Sequence, residues 1–308
     1  MGSAPTGLNP ASVVFPNYSM PSTTDDPTGA TLSYRNIIER EMENALTEMH
    51  RPAKGVAISG FAAGLTVSFG ALFMGMALTF QPTFPSTLAK QLTLGGVSAV
   101  GFLFVIIGQT ELFTAHTTMA VLPVLTDRAS VRDLLELWGV VLAANLVGCA
   151  CFAGLIAAIG PPMNIVDPAA FGSMAEALLP FPWWVITASG VVAGWLMGLL
   201  TWLVAASRDT ISRVVIVLVV ASTIGFAPFH HALLGTTEVL AAMFLGQGVT
   251  LGEFAHFLTW TTLGNAVGGG VFVALLNYGH VALAGDDVNV DYEAESTSGF
   301  GDDTTEKH

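Results

Sequence analysis

The chain has 308 residues, of which 52% are hydrophobic and only 11% are charged. Soluble domains carry about 25% charged residues, so this composition excludes an ordinary soluble protein and predicts one that crosses a membrane several times. The formal net charge is −13, and many of the acidic residues lie towards the ends of the chain. The two cysteines, Cys149 and Cys151, lie two apart in an apolar helical pattern. Because such neighbours face different sides of a helix, we expect neither a disulfide nor a metal site there.

Four regions follow from composition along the chain. Residues 1–31 are rich in Pro, Ser, Thr and Gly, which predicts a disordered N-terminal tail. Residues 32–50 place their apolar side chains at helical spacing, which predicts an amphipathic helix before the membrane domain. Residues 51–282 form the predicted membrane domain, and residues 283–308 form an acidic tail that is predicted to be disordered.

The membrane domain contains six apolar runs, each long enough for the roughly 20 residues that a helix needs to cross a bilayer. These spans cover about 55–80, 92–125, 134–159, 183–206, 214–245 and 254–281. The second span is interrupted near 108–116, and the fifth is interrupted over 225–238 by two histidines, a proline and a carboxylate. Irregular backbone at membrane depth is tolerated only where protein or a cavity surrounds it. We therefore predict that both spans are broken helices that line a permeation path.

The basic residues predict the topology. Of ten Lys and Arg residues, four precede span 1, two lie between spans 2 and 3, and two lie between spans 4 and 5. Among the loops on the other side, only one contains a basic residue, Lys90. Cytoplasmic loops carry the excess of Lys and Arg, so we expect both termini in the cytoplasm of a multi-pass protein of the cell (plasma) membrane.

Three short motifs occur twice, in the same order, on corresponding spans. The pattern S-G-x-x-A-G begins at Ser59 and Ser189, G-x-T-E begins at Gly108 and Gly235, and N-x-V-G begins at Asn145 and Asn265. With three spans in each repeat, the halves enter the membrane from opposite sides. We therefore predict an all-α membrane protein with a 3+3 inverted repeat and a site at the midplane between the broken helices.

The segment from Gly108 to Thr114, GQTELFT, resembles the G-x-E-L-F-T signature of the formate/nitrite transporter family. The Phe229-His230-His231 run, with Gly235 four residues later, resembles the second break of that family. The resemblance covers about 51–280 and is strongest to a divergent branch of uncharacterised members. It implies a homopentamer in which each subunit has its own aquaporin-like pore for a small monovalent anion, such as formate or nitrite.

The resemblance also implies roles for individual residues. His231 matches the central pore histidine, and histidine exchanges a proton near neutral pH, which predicts proton-linked transport. Two carboxylates and two asparagines are expected to hold the freed backbone groups of the broken helices, whereas His230 is more simply explained as structural. The expected pore residues are His231, Thr114, Leu112, Phe113 and Phe229, and the expected scaffold residues are Glu111, Glu238, Asn145 and Asn265.

Departures from the family pattern leave alternatives open. Gly194 stands where the formate channels carry a pore-facing asparagine, Phe181 lies where they carry a vestibule lysine, and Ala99 replaces a constriction phenylalanine. A pore for a small neutral solute or water is therefore an alternative.

A membrane metalloenzyme is a third hypothesis, but no HExxH pattern supports it. It would use Glu111, His116, His230, His231 and Glu238. We expect no enzymatic activity, catalytic residue, metal, cofactor or nucleic-acid partner, and we expect contacts with the anion, the lipid bilayer and other copies of the chain.

Overall fold

The structure, a computed structural model, describes residues 32, 34–270 and 278–279, without the side chains of 116–118. The predicted tails at 1–31 and 283–308 and the end of the sixth span lie outside these residues. The described chain folds into α-helices and contains no β-strand. In chain order they are α1 (Tyr34–His50), α2 (Ala53–Phe80), α3 (Thr87–Ile107), α4 (Phe113–Met119), α5 (Val121–Leu125), α6 (Val131–Ile159), α7 (Pro168–Glu176), α8 (Trp183–Ala206), α9 (Thr210–Phe226), α10 (Ala232–Phe244) and α11 (Leu251–Val267).

Four of these helices, α2, α3, α6 and α8, are long and apolar enough to cross a membrane, and α9 and α10 are shorter apolar helices. Where the sequence predicts the second span, α3 ends at Ile107 and α4 begins at Phe113. Where it predicts the fifth span, α9 ends at Phe226 and α10 begins at Ala232. The two interruptions, residues 108–112 and 227–231, are called the first break and the second break below.

Polar caps set the start of several helices. Ser130 and Asp133 form a capping box at the start of α6, and Thr250 and Glu253 form another at the start of α11. Such a box binds backbone N–H groups that have no partner within the helix. Because these caps precede the apolar residues, α6 and α11 begin three residues earlier than hydropathy alone predicts.

α1 lies across one end of the helix bundle, which is called the basic end because Arg51, Arg208 and Arg213 lie there. The apolar face of α1 packs in two places: Ile37 and Ile38 contact Trp202 near the end of α8, and Met42 contacts α5. Burial of this apolar stripe fixes α1 against the bundle, since surface helices are held mainly by tertiary packing.

Glycines allow two pairs of helices to approach closely. In α2, Gly60 and Gly64 pack against α6, and a Cβ atom at Gly64 would overlap the backbone of Asn145. In α8, Gly194 packs against α11, and a Cβ atom there would overlap the backbone of Asn265. Small residues are typical of helix contacts within membranes. Gly194 is therefore a packing position, and it does not mark a pore-facing side chain that this chain has lost.

A short helix, α7, was not predicted from the sequence. Asp167 caps it by accepting a hydrogen bond from the Ala169 backbone N–H at 3.0 Å, and Pro168 occupies its first position. Its Phe171 side chain is fully buried and would contact a Cβ atom placed at Gly75 of α2. α7 therefore covers the end of the bundle opposite the basic end, next to α10.

Candidate functional site

The first break leaves helical geometry at Gln109, whose φ of 52° lies in the left-handed region. The backbone then turns, and the Thr110 N–H donates to the Val105 carbonyl oxygen at 3.2 Å. The Glu111 N–H donates to the Ser59 hydroxyl of α2 at 3.1 Å. These contacts satisfy backbone groups that the end of α3 would otherwise leave without partners.

Asn145 of α6 holds both sides of the first break. Its Oδ1 atom accepts a hydrogen bond from the Phe113 N–H at 2.9 Å, at the start of α4. Its Nδ2 atom donates to the carbonyl oxygens of Gly60 at 2.7 Å and Glu111 at 2.8 Å. One buried amide therefore connects α2, α6 and the break.

The second break is held in the same way by Asn265 of α11. Its Oδ1 atom accepts from the Ala232 N–H at 2.8 Å, and its Nδ2 atom donates to the carbonyl oxygens of Gly190 at 2.8 Å and His230 at 2.9 Å. The His230 N–H donates to the Ser189 hydroxyl at 3.1 Å. Each atom of this network has a counterpart in the first break.

The matched hydrogen bonds pair Glu111 with His230 and Leu112 with His231. The G-x-T-E motif instead predicts that Glu111 pairs with Glu238, and that pairing is wrong. Glu238 lies in the middle of α10, and its side chain makes none of the hydrogen bonds that hold the two breaks. The freed backbone groups are held by serines and asparagines, because their short side chains reach the breaks from neighbouring helices.

His231 joins the two breaks. It caps α10 by accepting a hydrogen bond from the Leu234 N–H at its Nδ1 atom, at 3.2 Å. Its Nε2 atom lies 3.0 Å from the Thr114 hydroxyl in α4. Because Nδ1 accepts a hydrogen bond, the network assigns the proton of a neutral ring to Nε2, which donates to Thr114. Both side chains are buried.

Phe102 of α3 was missed in the sequence analysis. Its ring contacts the His231 ring edge to face, with centroids 4.9 Å apart, and its side chain is fully buried. Its position could have marked it as a candidate pore residue, because Phe102 lies on the helix that leads into the first break.

The other predicted pore residues lie in or beside the two breaks. Leu112 is buried within the first break, and Phe229 is half-buried in the second. Phe113 is buried against Trp138 of α6, with ring centroids 5.9 Å apart. Among the predicted residues, only Thr114 forms a hydrogen bond with His231 in the described residues.

Glu111 forms an ion pair that the sequence did not predict. Its Oε1 atom lies 2.7 Å from Nη1 of Arg51, between α1 and α2, and the same nitrogen lies 2.7 Å from Glu48 Oε2. Glu111 is only 6% exposed, whereas Arg51 is 37% exposed. The ion pair therefore links the end of α1 to the first break.

His230 is bound by neutral groups on both sides of its ring. Its Nδ1 atom lies 2.8 Å from the Ser189 hydroxyl, and its Nε2 atom lies 2.9 Å from the Leu178 carbonyl oxygen. Phe181 contacts the ring edge to face at 5.7 Å. These contacts give His230 a structural role, in which it ties the segment between α7 and α8 to the second break.

A cavity of about 310 Å³ lies between α1, the first break and the ends of α8 and α9 that meet at the basic end. Glu111 and Ala115 form part of its wall, so it reaches the residue next to Thr114. No group of three potential metal ligands occurs among the residues whose side chains the structure describes.

Comparison with known proteins identifies the family. The family model for formate/nitrite transporters matches residues 35–279. A probable formate transporter of Methanothermobacter thermautotrophicus is 30% identical over 73% of this chain and 88% of its own length. The inner membrane protein YfdC of Escherichia coli is 26% identical, covering 80% and 78%, and the nitrite transporter NirC of the same species is 26% identical, covering 72% and 81%.

Solved structures agree on the fold. An FNT family ion channel has a TM-score of 0.73 at 25% identity, over 80% of this chain and 98% of that one. A pentameric formate channel with formate bound has a TM-score of 0.67 at 21% identity, over 75% and 98% of the two chains. The chain therefore belongs to the formate/nitrite transporter family of multi-pass membrane proteins.

Proposed function

We propose that the chain forms a pore for a small monovalent anion of the formate or nitrite kind, with His231 and Thr114 at its centre. The observation that carries the proposal is the 3.0 Å contact between His231 Nε2 and the Thr114 hydroxyl, which joins the two breaks. An anion that replaces this contact meets an N–H donor on one side and an O–H donor on the other.

The proposed architecture has six spans in an inverted 3+3 repeat, in which α3 with α4 and α9 with α10 are the two broken helices. The matched networks of Asn145 and Asn265 support this repeat. The distribution of basic residues supports cytoplasmic termini and a basic end that faces the cytoplasm of a plasma-membrane protein. Because a structural relative is a pentameric formate channel, we further propose a homopentamer with one pore in each subunit.

Proton linkage follows from the energetics of the path. The idealised Born cost of moving an ion into an apolar interior is on the order of 20 kcal/mol. Protonating a carboxylate of pKa about 4 at pH 7 costs only about 4 kcal/mol. The anion therefore crosses the apolar segment beside Phe102 as its neutral acid or paired with a protonated His231.

The geometry of His231 limits how the ring takes up a proton. In the neutral ring Nδ1 accepts the Leu234 N–H, so a proton added at Nδ1 would face another donor. The protonated ring must turn away from the start of α10, which presents its N–H groups to the incoming anion. Proton uptake and anion binding at His231 are therefore coupled.

The alternative pore for a neutral solute or water is not favoured. Its sequence basis included the loss of a pore-facing asparagine at Gly194, but Gly194 lies against the backbone of Asn265. The family relatives also include named formate and nitrite transporters.

Uptake into proteoliposomes tests the proposal. Formate, nitrite, acetate, urea and glycerol are supplied with and without an inward proton gradient. We expect the small weak-acid anions to enter at a rate that rises with the gradient, and we expect His231→Phe to abolish that rise. The matched control is His256→Phe, because His256 is exposed at the start of α11. Unchanged proton-dependent uptake in His231→Phe would refute the role of His231, and entry of only the neutral solutes would refute the anion pore.

A further inference from the structure

The cavity at the basic end contains two arginines whose side chains converge on one residue. Arg40 of α1 donates from Nη1 to the Ala205 carbonyl oxygen at 2.8 Å and to the Ser207 carbonyl oxygen at 3.5 Å. Arg213 of α9 donates from Nε to the Ser207 hydroxyl at 3.3 Å. Since both guanidinium groups bond to Ser207, their positive charges lie close together on one wall of the cavity.

Neither guanidinium forms an ion pair with a carboxylate in the described part of the chain. Arg40 uses one of its terminal nitrogens for carbonyl oxygens, and Arg213 uses only Nε for the serine hydroxyl. A guanidinium has five N–H donors in a planar fork, so each arginine keeps donors beyond those that anchor it. Both side chains are half-buried, which limits the water that competes for those donors.

The nearby carboxylates Glu48, Glu111 and Asp209 each have partners besides the two arginines, although the hydrogen bonds from Ser212 and also the charge of Arg213 lower the pKa of Asp209. Glu48 and Glu111, which line the same cavity, share the guanidinium of Arg51. Asp209 caps α9, where it accepts hydrogen bonds from the Ser212 N–H and hydroxyl. Glu41 also lines the cavity and is buried. The wall formed by Arg40 and Arg213 therefore carries two positive charges, each without a salt bridge among the described residues.

The rest of the lining suits a small polar ligand. Besides the charged residues, it contains uncharged polar side chains from α1, the first break and α8, namely Asn44, Thr47, Gln109, Thr110 and Thr201. Ala115 lines the same cavity and directly follows Thr114, whose hydroxyl contacts His231. The cavity therefore extends from the two arginines to the residue that follows Thr114.

We propose that the cavity binds a small monovalent anion between Arg40 and Arg213 on the cytoplasmic side of the pore. This waiting site is the position that the anion occupies before it moves on to His231. The ligand class rests on the proposed function, whereas the site itself rests on the two guanidinium groups. A carboxylate or nitrite presents two coplanar oxygens, and the fork of a guanidinium matches such a pair of acceptors. The two arginines are specificity-determining residues, because their positive charges favour an anion over a neutral solute.

Anomalous scattering from bromide locates the site directly. Crystals of the full-length protein grown in sodium bromide are expected to show a bromide ion within hydrogen-bond distance of Arg40 and Arg213. Arg213→Gln should remove this peak, and Arg208→Gln, a change of the same kind at an exposed position in the same loop, should keep it. A wild-type map without a peak at the two arginines would overturn the proposal.

Formate uptake then measures what the site contributes. The half-saturating formate concentration should rise about tenfold in Arg213→Gln, as expected for one lost charge-assisted hydrogen bond, and it should rise less in Arg213→Lys. Arg40 also anchors α1 to α8, so Arg40→Gln is compared with Arg40→Lys to separate the charge from the anchor. Equal half-saturating concentrations in wild type, Arg213→Gln and Arg208→Gln would overturn the proposed contribution.

The two proposals fail in different ways. If wild-type protein takes up none of the small anions, the proposed pore fails, while the bromide peak still reports on the arginine site. If wild-type protein takes up formate but bromide does not occupy the arginines, only the waiting site fails.

Discussion

Glu111 and His230 occupy equivalent positions in the two breaks. The backbone N–H of each donates to a serine of a neighbouring helix, Ser59 or Ser189, and the carbonyl oxygen of each accepts from an asparagine amide. Their side chains differ in charge environment. Glu111 pairs with the Arg51 guanidinium, whereas His230 is bound by a hydroxyl and a carbonyl group. The two breaks therefore share their backbone hydrogen bonds, but the side chains at the equivalent positions differ in charge and in partners.

Asn145→Asp and Asn265→Asp should each destabilise the protein. An ionised aspartate accepts hydrogen bonds but cannot donate, so each change removes the two bonds that Nδ2 makes to carbonyl oxygens. Each lost hydrogen bond costs about 0.5–1.5 kcal/mol, so the loss of two should lower the thermal midpoint of the purified protein clearly.

The control for these variants is Asn164→Asp. Asn164 is exposed and has a φ of 57°, a conformation that aspartate also tolerates. Its thermal midpoint should match that of wild type. Midpoints for Asn145→Asp and Asn265→Asp that equal the control would contradict the proposed role of the two amides.

Asn145 and Asn265 show which features of the two breaks can be predicted from the sequence. A polar amide in an apolar helix has a strong reason to bond backbone groups, and two copies in one repeat predict that both breaks are held alike. The break positions follow from Gly and Pro within apolar runs. His231 also stood out, because an ionisable side chain at that depth requires a function or a partner.

Other contacts could not be predicted, because they depend on the side chains that meet in three dimensions. The pairing of Arg51 with Glu111 joins the residue after α1 to the first break, and nothing in their local sequence specifies it. The G-x-T-E match misled for the opposite reason, because a short motif can recur by composition. The hydrogen bonds of Ser189 and Asn265 reveal that His230 is the counterpart of Glu111.

Gly64→Ala and Gly194→Ala should lower stability without a specific loss of anion selectivity. A Cβ atom at either position would overlap the backbone of Asn145 or Asn265, so the helices must separate. Overpacking of this kind costs about 1–3 kcal/mol. Thermal midpoints of the purified variants measure the effect. Gly154→Ala is the matched control, because nothing lies within 4 Å of a Cβ atom placed there. A pore-facing role for Gly194 would instead leave the midpoint unchanged and alter selectivity.

Arg51→Gln should destabilise the first break more than Glu111→Gln does. Removing the arginine leaves the Glu111 carboxylate, which is 6% exposed, without its cation, whereas removing the carboxylate leaves an arginine that still pairs with Glu48. Removing one partner of a buried ion pair costs more than removing both. We therefore expect Arg51→Gln/Glu111→Gln to have a higher thermal midpoint than Arg51→Gln alone. Additive losses in this double-mutant cycle would show that the two residues do not interact.

His230→Glu tests whether the second break tolerates the charge that the first break holds. The new carboxylate would lie beside Phe181 with no cation among its described neighbours, and it would lose the donor that His230 provides to the Leu178 carbonyl oxygen. We expect a lower thermal midpoint and weaker anion uptake, because a negative charge would repel the anion.

Phe181→Lys combined with His230→Glu should recover part of the loss, because the lysine would lie beside the new carboxylate and repeat the pairing that Arg51 gives Glu111. The matched control is Trp184→Lys combined with His230→Glu, which adds the same charge at an exposed position nearby. Recovery with Phe181→Lys but not with Trp184→Lys requires a local ion pair and not merely a change in net charge. If both double variants behave like His230→Glu, the second break cannot hold the charge pair found at the first, and the equivalence of Glu111 and His230 is limited to the backbone.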